Sequence, residues 1–340
     1  MRILIIRLSS FGDIILTEPI TAVLRKTYPD AEIDFLTSEK YATLPRLFPN
    51  ISTVFTWKND KDSVLDLKDR NYDLILDLQG KLRSFLIRLQ LGGTHTITYN
   101  KKHFLRRMIV KKWTHQTIGS TTELYASVLD KMQIPYSLPR PVIVPLRQKD
   151  PIMGEAFRDK RESRRLFIGV FPGATHNTKI YPLEQMSAVL SSLPDDWKLC
   201  YVFMGGAQEK SNNTILRKSV KFPSIDLTGQ LDYLNLAYIL SELDMVITMD
   251  SGPMHMAAAL GKPQVAIFGA THTKLGFGPQ NPKSIVIESN IKCQPCSLHG
   301  SDRCPKGHFK CMKEISPKEV AQAIVTLHER FIKDQIRYLE

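Results

Sequence analysis

Apolar residues fall along this chain in two rhythms. In the first half, Arg2–Leu8, Glu32–Leu36, Thr53–Trp57, Asp73–Leu78 and Thr94–Tyr99 are short, nearly continuous apolar runs. Such runs mark strands buried on both faces, as in a parallel sheet. Between and after them, Ile14–Tyr28, Tyr41–Leu47, Asp60–Arg70 and Lys81–Leu91 carry helical spacing. A second series repeats the alternation. Its strands are Leu166–Phe171, Lys198–Met204, Ser224–Leu227, Met245–Thr248 and a run near Ile285–Ile287, with helices at Asp232–Ser241 and from Pro317 to about Tyr338. Strands alternating with helices predict an α/β protein with doubly wound parallel sheets. Pro135, Pro139, Pro141, Pro145 and Pro151, then a charged run, interrupt the pattern and place a domain boundary there. The expected division is residues 1–150, residues 151–316, and a last helix over residues 317–340 that packs back across both domains.

The second series is organised around Asp244–Phe268. Its apolar run stops before Asp250, and Ser251-Gly252-Pro253 opens a helix. Ser251 is expected to cap the first turn, Gly252 lets backbone approach a ligand, and Pro253 suits the first helical position. Backbone donors and a positive dipole end then point beyond the strand tip, an arrangement that receives a phosphate. His255, in the first turn, adds an imidazole donor. Taken alone, the same string also fits an ordinary strand-to-helix connection. Lys179, in the polar loop Pro172–Lys179, is a natural counter-charge for a diphosphate. Neither G-x-G-x-x-G nor a Walker A motif follows a strand. In the first series, the loop Ser9–Asp13 lies at the end of a central strand, where open α/β sheets place their ligands. An isolated Asp13 there reads as a helix N-cap.

Composition sharpens this picture through charge. With 43% hydrophobic and 24% charged residues the chain has an ordinary soluble make-up, and 340 residues suffice for two cores. No apolar run reaches the roughly 18 residues needed to span a bilayer. Arg7 interrupts the amino-terminal apolar stretch and no small-residue cleavage site follows, so a cytoplasmic protein is expected. The net charge of +12 calls for acidic partners: nucleic acid, an anionic membrane face, or phosphorylated substrates. Lys81, Arg83, Arg88, Lys101, Lys102, Arg106, Arg107, Lys111 and Lys112 fall between Leu78 and Thr122, a stretch with no Asp or Glu. Cys200 lies in a strand, whereas Cys293, Cys296, Cys304 and Cys311 cluster near His299 and His308. In a reducing compartment that clustering points to metal or free thiols. Four thiolates suit tetrahedral zinc, though the second pair is spaced more widely than a zinc knuckle.

Four stretches together resemble one family. Asp250–Gly269 is similar to the signature of the bacterial lipopolysaccharide heptosyltransferases, glycosyltransferase family nine, and Arg7–Asp13 resembles their amino-terminal motif. Asp77–Ser84 matches their Asp-x-x-Gly with a basic, Ser-containing helix. Gly173–Lys179 resembles their Gly-Ala loop, although Tyr181-Pro182 stands where the family has Trp-Pro. The resemblance implies the GT-B architecture, two Rossmann-like domains facing a central cleft, acceptor on the amino-terminal side and nucleotide sugar on the other. It further implies inverting transfer of heptose from ADP-heptose to the lipopolysaccharide inner core, with Asp13 as general base. Ser10, Lys81, Arg83, Lys101, Arg106 and Arg107 would face the acceptor. Thr175, Lys179, Glu209, Asp250, Ser251, Gly252 and His255 would hold the nucleotide sugar and stabilise the departing diphosphate. With that much fixed positive potential no catalytic metal is expected, and the four clustered cysteines are left as a structural zinc candidate. The basic strip also suits the anionic inner face of the inner membrane, a peripheral location. Two alternatives stand beside this reading. One is a related glycosyltransferase with another nucleotide sugar or acceptor. The other, a basic zinc-bearing nucleic-acid binder, is disfavoured because its cations are not interleaved with a stacking platform.

Overall fold

The computed structural model describes residues 1–60, 62–92, 94–146 and 165–333. These form two compact units, one drawn from Met1–His103 and Gly119–Val144, the other from Phe104–Ile118 and Pro145–Glu340. The expected boundary at residue 150 and the last turns of the carboxyl-terminal helix lie outside the described residues.

In the first unit β1 (Arg2–Ile6), β2 (Glu32–Ser38), β3 (Thr53–Trp57), β4 (Leu74–Asp77) and β5 (Thr96–Thr98) make one sheet in the order β3-β2-β1-β4-β5. Every pairing is parallel, with Ile3 opposite both Ile33 and Leu74. Ile3, Leu4, Ile5 and Ile6 are wholly buried, as the lack of alternation required. The helix expected over Ile14–Tyr28 is instead two, α1 (Phe11–Ile15) and α2 (Glu18–Thr27). Pro19 explains the break: it sits in the first turn of α2, where a missing N–H is harmless. In place of the helix expected over Tyr41–Leu47 there are two 3-10 turns, Glu39–Tyr41 and Leu44–Leu47, with Pro45 at the start of the second. Then follow α3 (Asp62–Lys68), α4 (Leu82–Gln90), α5 (His103–Lys111) and α6 (Thr121–Lys131). The sequence pattern missed α6, which has a complete capping box between Ser120 and Glu123.

The second unit has a sheet of β6 (Leu166–Phe171), β7 (Leu199–Phe203), β8 (Ser224–Asp226), β9 (Met245–Met249), β10 (Gln264–Phe268) and β11 (Ser284–Glu288). Their order is β11-β10-β9-β6-β7-β8, again parallel throughout. Its helices are α7 (Leu183–Ser191), α8 (Lys210–Ser219), α9 (Tyr233–Glu242), α10 (Gly252–Ala259), α11 (Lys310–Lys313) and α12 (Pro317–Phe331). Val320, Ile324 and Leu327 of α12 are buried in the core that also holds Ile168, Tyr201 and Ile247. The described part of this last helix therefore belongs to the second unit.

Phe104–Ile118 also departs from the division read in the sequence, since it packs with the second unit. Arg106 donates to the Leu275 carbonyl at 3.3 Å and stacks its guanidinium over Phe277, 4.8 Å from the ring centre. The Ile118 N–H donates to the Lys274 carbonyl at 2.9 Å, and Lys112 reaches the Lys292 carbonyl. Both sheets reverse their winding direction once. The reversal falls between β1 and β4 in the first and between β6 and β9 in the second, and such switch points leave a crevice at the strands' carboxyl ends.

Candidate active site

At the β1/β4 switch point the side chains fix one another. Arg7, just past β1, is buried and donates to the Leu78 carbonyl at 2.6 Å. Its guanidinium also stands 2.8 Å from Asp13 Oδ2. The Ser10 hydroxyl donates to that same oxygen at 2.7 Å, and the Tyr125 hydroxyl donates to Asp13 Oδ1 at 2.9 Å. Tyr125 comes from α6, with its ring 4.9 Å from that of Tyr99 and 5.2 Å from the Arg7 guanidinium. Ser10 is the N-cap of α1 and Asp13 the third residue of its capping box, so Asp13 is not itself the cap. Burial pushes the Asp13 pKa up, but the Arg7 charge and the hydrogen bonds from Ser10 and Tyr125 outweigh it and hold the carboxyl at about 2. Asp13 is therefore ionised across the physiological range.

The loop after β4 holds this arrangement in place. Asp77 is wholly buried, and its Oδ1 accepts the N–H groups of Gln79 at 2.9 Å and Gly80 at 2.7 Å. Its Oδ2 accepts the Ser84 hydroxyl at 2.9 Å and lies 3.2 Å from Arg88 Nε. Gln79 Oε1 in turn accepts the N–H groups of Leu8 and Ser9, at 3.1 and 3.3 Å. The Asp77–Ser84 motif is thus a latch on the loop that carries Asp13. Gly80 has φ +54°, and a Cβ there would come within 2.8 Å of Lys101 Cε, so both strain and contact favour glycine. Lys101 Nζ donates to the Gly80 carbonyl at 2.6 Å. Burial first, then the nearby charges of Arg7 and Lys81, lower the Lys101 pKa.

Of the residues expected to face an acceptor, Ser10 and Lys101 gather at this switch point. Lys81 and Arg83 lie exposed at the start of α4, Arg83 over the Trp57 ring at 5.6 Å, and Arg107 is exposed on α5. Arg106, by contrast, is buried in the second unit with its guanidinium over the Phe277 ring.

At the β6/β9 switch point Lys179 Nζ lies 2.7 Å from Asp250 Oδ2, and the Thr271 hydroxyl donates to the same oxygen at 2.6 Å. Thr178 fixes the lysine's loop: its hydroxyl donates to the Ser301 carbonyl at 2.7 Å, and its carbonyl accepts the Ala270 N–H at 3.1 Å. Ser251 corrects an expectation. Its hydroxyl turns back to donate to the Met249 carbonyl at 3.2 Å and makes no capping bond. Gly252 begins α10 after it, and His255 is buried in that helix. Thr175 is exposed in the loop after β6. Glu209 follows β7, buried, with Oε1 accepting from Gln208 Nε2 at 3.0 Å. Burial raises its pKa. A Cβ on Gly173 would come within 2.4 Å of the Glu209 side chain, so that glycine is what lets the carboxylate lie against the β6 loop.

Arg7, Gln79, Tyr125 and Thr271 received no role from the sequence reading. Arg7 lay inside a quoted motif, whereas Tyr125 sits over a hundred positions from its partner Asp13 and carried no signal.

The four clustered cysteines do approach one another. Cys293 Sγ lies 3.7 Å from His308 Nε2, and the Cys296 thiol donates to the Cys293 carbonyl at 2.8 Å. Burial and then the neighbouring thiols push Cys296 up to about 11 and Cys311 up to about 12. The backbone amides of Lys306, Gly307, His308 and Phe309 outweigh burial and lower the Cys304 pKa. Among the described residues, no three His, Cys, Asp or Glu side chains are drawn together closely enough to hold a metal ion.

The family model of glycosyltransferase family 9 (heptosyltransferase) matches residues 64–305, well over half of the chain. The chain belongs to glycosyltransferase family 9. A curated relative, lipopolysaccharide heptosyltransferase 1 of Campylobacter coli, is 23% identical over 89% of this chain and 94% of its own length. Among solved structures, the Escherichia coli ADP-heptose lps heptosyltransferase II superposes with a TM-score of 0.74 at 21% identity, covering 96% of this chain and 98% of that one. A family 9 glycosyl transferase from Veillonella parvula gives 0.76 at 22% identity, over 96% of each chain. The α/β fold class expected from the sequence, two parallel-sheet domains of the GT-B type, is therefore the fold of this family 9 chain.

Proposed function

We propose that this family 9 enzyme transfers heptose, with inversion, from ADP-heptose to a hydroxyl of the lipopolysaccharide inner core. The observation that carries the reading is the ionised Asp13 held at the first sheet's switch point by Arg7, Ser10 and Tyr125. A carboxylate so placed accepts the proton of the attacking hydroxyl as that oxygen forms its bond to the anomeric carbon. A pKa of about 2 makes Asp13 a weak base at rest. The hydroxyl becomes strongly acidic only as the new bond forms, so the transfer is called on late. In the same step the bond from the anomeric carbon to the diphosphate oxygen breaks, and its electron pair leaves with ADP.

Support for the donor side comes from Lys179, Asp250 and the N-terminus of α10 at the second switch point. Lys179 exchanges its Asp250 partner for the diphosphate, and the first turn of α10, left without a serine cap, adds backbone donors. Asp250, released from the lysine, takes hydroxyls of the donor sugar. Glu209 and Thr175 extend the pocket towards the nucleoside. Fixed cations and dipoles supply the positive potential, so the reaction is written without a metal ion. The E. coli protein described as an ADP-heptose heptosyltransferase supports ADP-heptose as donor, and the Campylobacter coli relative supports a lipopolysaccharide acceptor. No described helix is long and apolar enough to cross a membrane, and the charge of +12 suits peripheral attachment to the cytoplasmic face. For Cys293, Cys296, Cys304 and Cys311 a structural zinc is the proposal, supported by the donor type and by the clustering of the thiols beside His308; binding would draw the four closer together than they stand among the described residues. Elemental analysis of protein purified without chelators tests it; four freely titrating thiols and no metal would reject it.

The test of the function is a panel of nucleotide sugars offered with a delipidated inner-core acceptor, with released nucleotide as the readout. ADP release from ADP-heptose that depends on the acceptor is the expected result. Turnover of a different nucleotide sugar with ADP-heptose inert would favour the related-transferase reading.

A further inference from the structure

The helix α4 turns its apolar side to solvent. Leu82, Phe85, Leu86 and Leu89 are 72, 45, 47 and 61% exposed, while only Ser84 and Ile87 of the helix are buried. Positions i, i+3, i+4 and i+7 make one continuous stripe on a helix. A protein core would normally claim such a stripe, and here the core holds the opposite face. Scattered exposed leucines need no explanation, but four contiguous large ones mark an interaction surface.

The charges around the stripe identify its occupant. Lys81 and Arg83 are exposed beside it, and no Asp or Glu occurs from Leu78 to Thr122. Arg88 lies on the flank of the helix, turned in to Asp77 with its guanidinium also over the Phe85 ring at 5.4 Å. A protein partner would ask for an apolar patch with a mixed polar rim. An apolar stripe flanked by exposed Lys81 and Arg83, on a segment without carboxylates, matches the boundary between acyl chains and anionic headgroups.

We propose that α4 is a membrane anchor. Its Leu82–Phe85–Leu86–Leu89 stripe enters the acyl region of an anionic bilayer, and Lys81 and Arg83 rest among the headgroups. The membrane as occupant is in keeping with a lipid-borne acceptor, but the geometry stands without the transfer reading, and the flotation that tests it needs neither donor nor acceptor.

The experiment is flotation of the full chain with phosphatidylethanolamine/phosphatidylglycerol vesicles and with phosphatidylcholine vesicles, at low and high salt. Wild type is expected to float with the anionic vesicles, weakly with the neutral ones, and less as salt rises. The variant Leu82→Ser, Leu86→Ser, Leu89→Ser alters exposed positions only, so its fold is checked by circular dichroism and is expected to persist. Its anionic-vesicle partition should fall by about a hundredfold, with turnover of a delipidated acceptor unchanged. Failure of wild type to float, or flotation untouched by the triple substitution, would overturn the proposal. So would sedimentation showing a wild-type dimer that the substitution dissociates, since the stripe would then cover a second copy. Loss of transfer activity in wild type would count against the function proposed above and leave the anchor standing.

Discussion

At the β1/β4 switch point the working groups are side chains that neutralise and orient one another: Arg7 with Asp13, Ser10 and Tyr125 with the same carboxylate, Asp77 with Arg88 and two backbone N–H groups. At the β6/β9 switch point they are a lysine on a loop, an aspartate at a strand tip and the open first turn of a helix. Both sheets are wound by one rule and leave the same crevice. The difference lies in what fills it. A web of buried ion pairs can hold a carboxylate ionised and aimed, whereas a helix N-terminus with one exchangeable lysine can receive an anion. The fold supplies the place, and the loop residues supply the chemistry.

Breaking the first web should have the largest effect on stability. Asp77→Ala removes a wholly buried carboxylate and leaves Arg88 and the Gln79 and Gly80 N–H groups without it. Urea unfolding should show a loss of about 3–5 kcal/mol, and a loss under about 1 kcal/mol would mean that Asp77 is not the latch. In the second site the equivalent test is affinity. Lys179→Ala should weaken ADP binding, measured by calorimetry without magnesium, by about 1.5–3 kcal/mol with little change in folding stability.

A smaller effect sharpens the first site. Tyr125→Phe removes one of the bonds that hold Asp13 near 2, so the carboxyl should titrate higher, towards its ordinary value of 3.8. The folded pKa is depressed, so Asp13 contributes stability above about 4 that is lost as pH falls towards about 2. The variant should therefore be less stable than wild type at neutral pH by about 1 kcal/mol, and the gap should close on acidification. A gap that widens in acid would contradict the assignment. The smallest effect is expected from Ser251→Ala, within about 0.5 kcal/mol of wild type, because this hydroxyl does not cap α10. A loss of about 1 kcal/mol or more would be that of a true cap.

What could be read in advance follows from the range over which each signal acts. The strands were legible because burial on both faces leaves a continuous apolar run, and the position of Asp13, Asp250 and Lys179 near strand tips was legible because each sits in a contiguous motif; the roles proposed for them rest on experiment. Tyr125 was not, because its role depends on α6 folding back to Asp13 across more than a hundred residues. Arg106 and Arg83 looked alike as members of one basic run. Only packing distinguishes the guanidinium buried beneath Phe277 from the one exposed over Trp57. Ser251 shows the limit of a local rule: residue type and position both suit a cap, yet its hydroxyl finds the Met249 carbonyl first.

The contrast between the two switch points is tested most directly by Asp13→Asn, with acceptor-dependent ADP release and ADP affinity measured on the same preparation. An amide keeps the shape of the carboxylate, with its oxygen towards Ser10 and Arg7 and its NH2 donating to the Tyr125 hydroxyl, but cannot take the acceptor's proton. Turnover should fall by about 100-fold or more while ADP affinity stays at the wild-type value. Near wild-type turnover, or a parallel loss of ADP affinity, would contradict the assignment of proton acceptance to the first site and anion binding to the second.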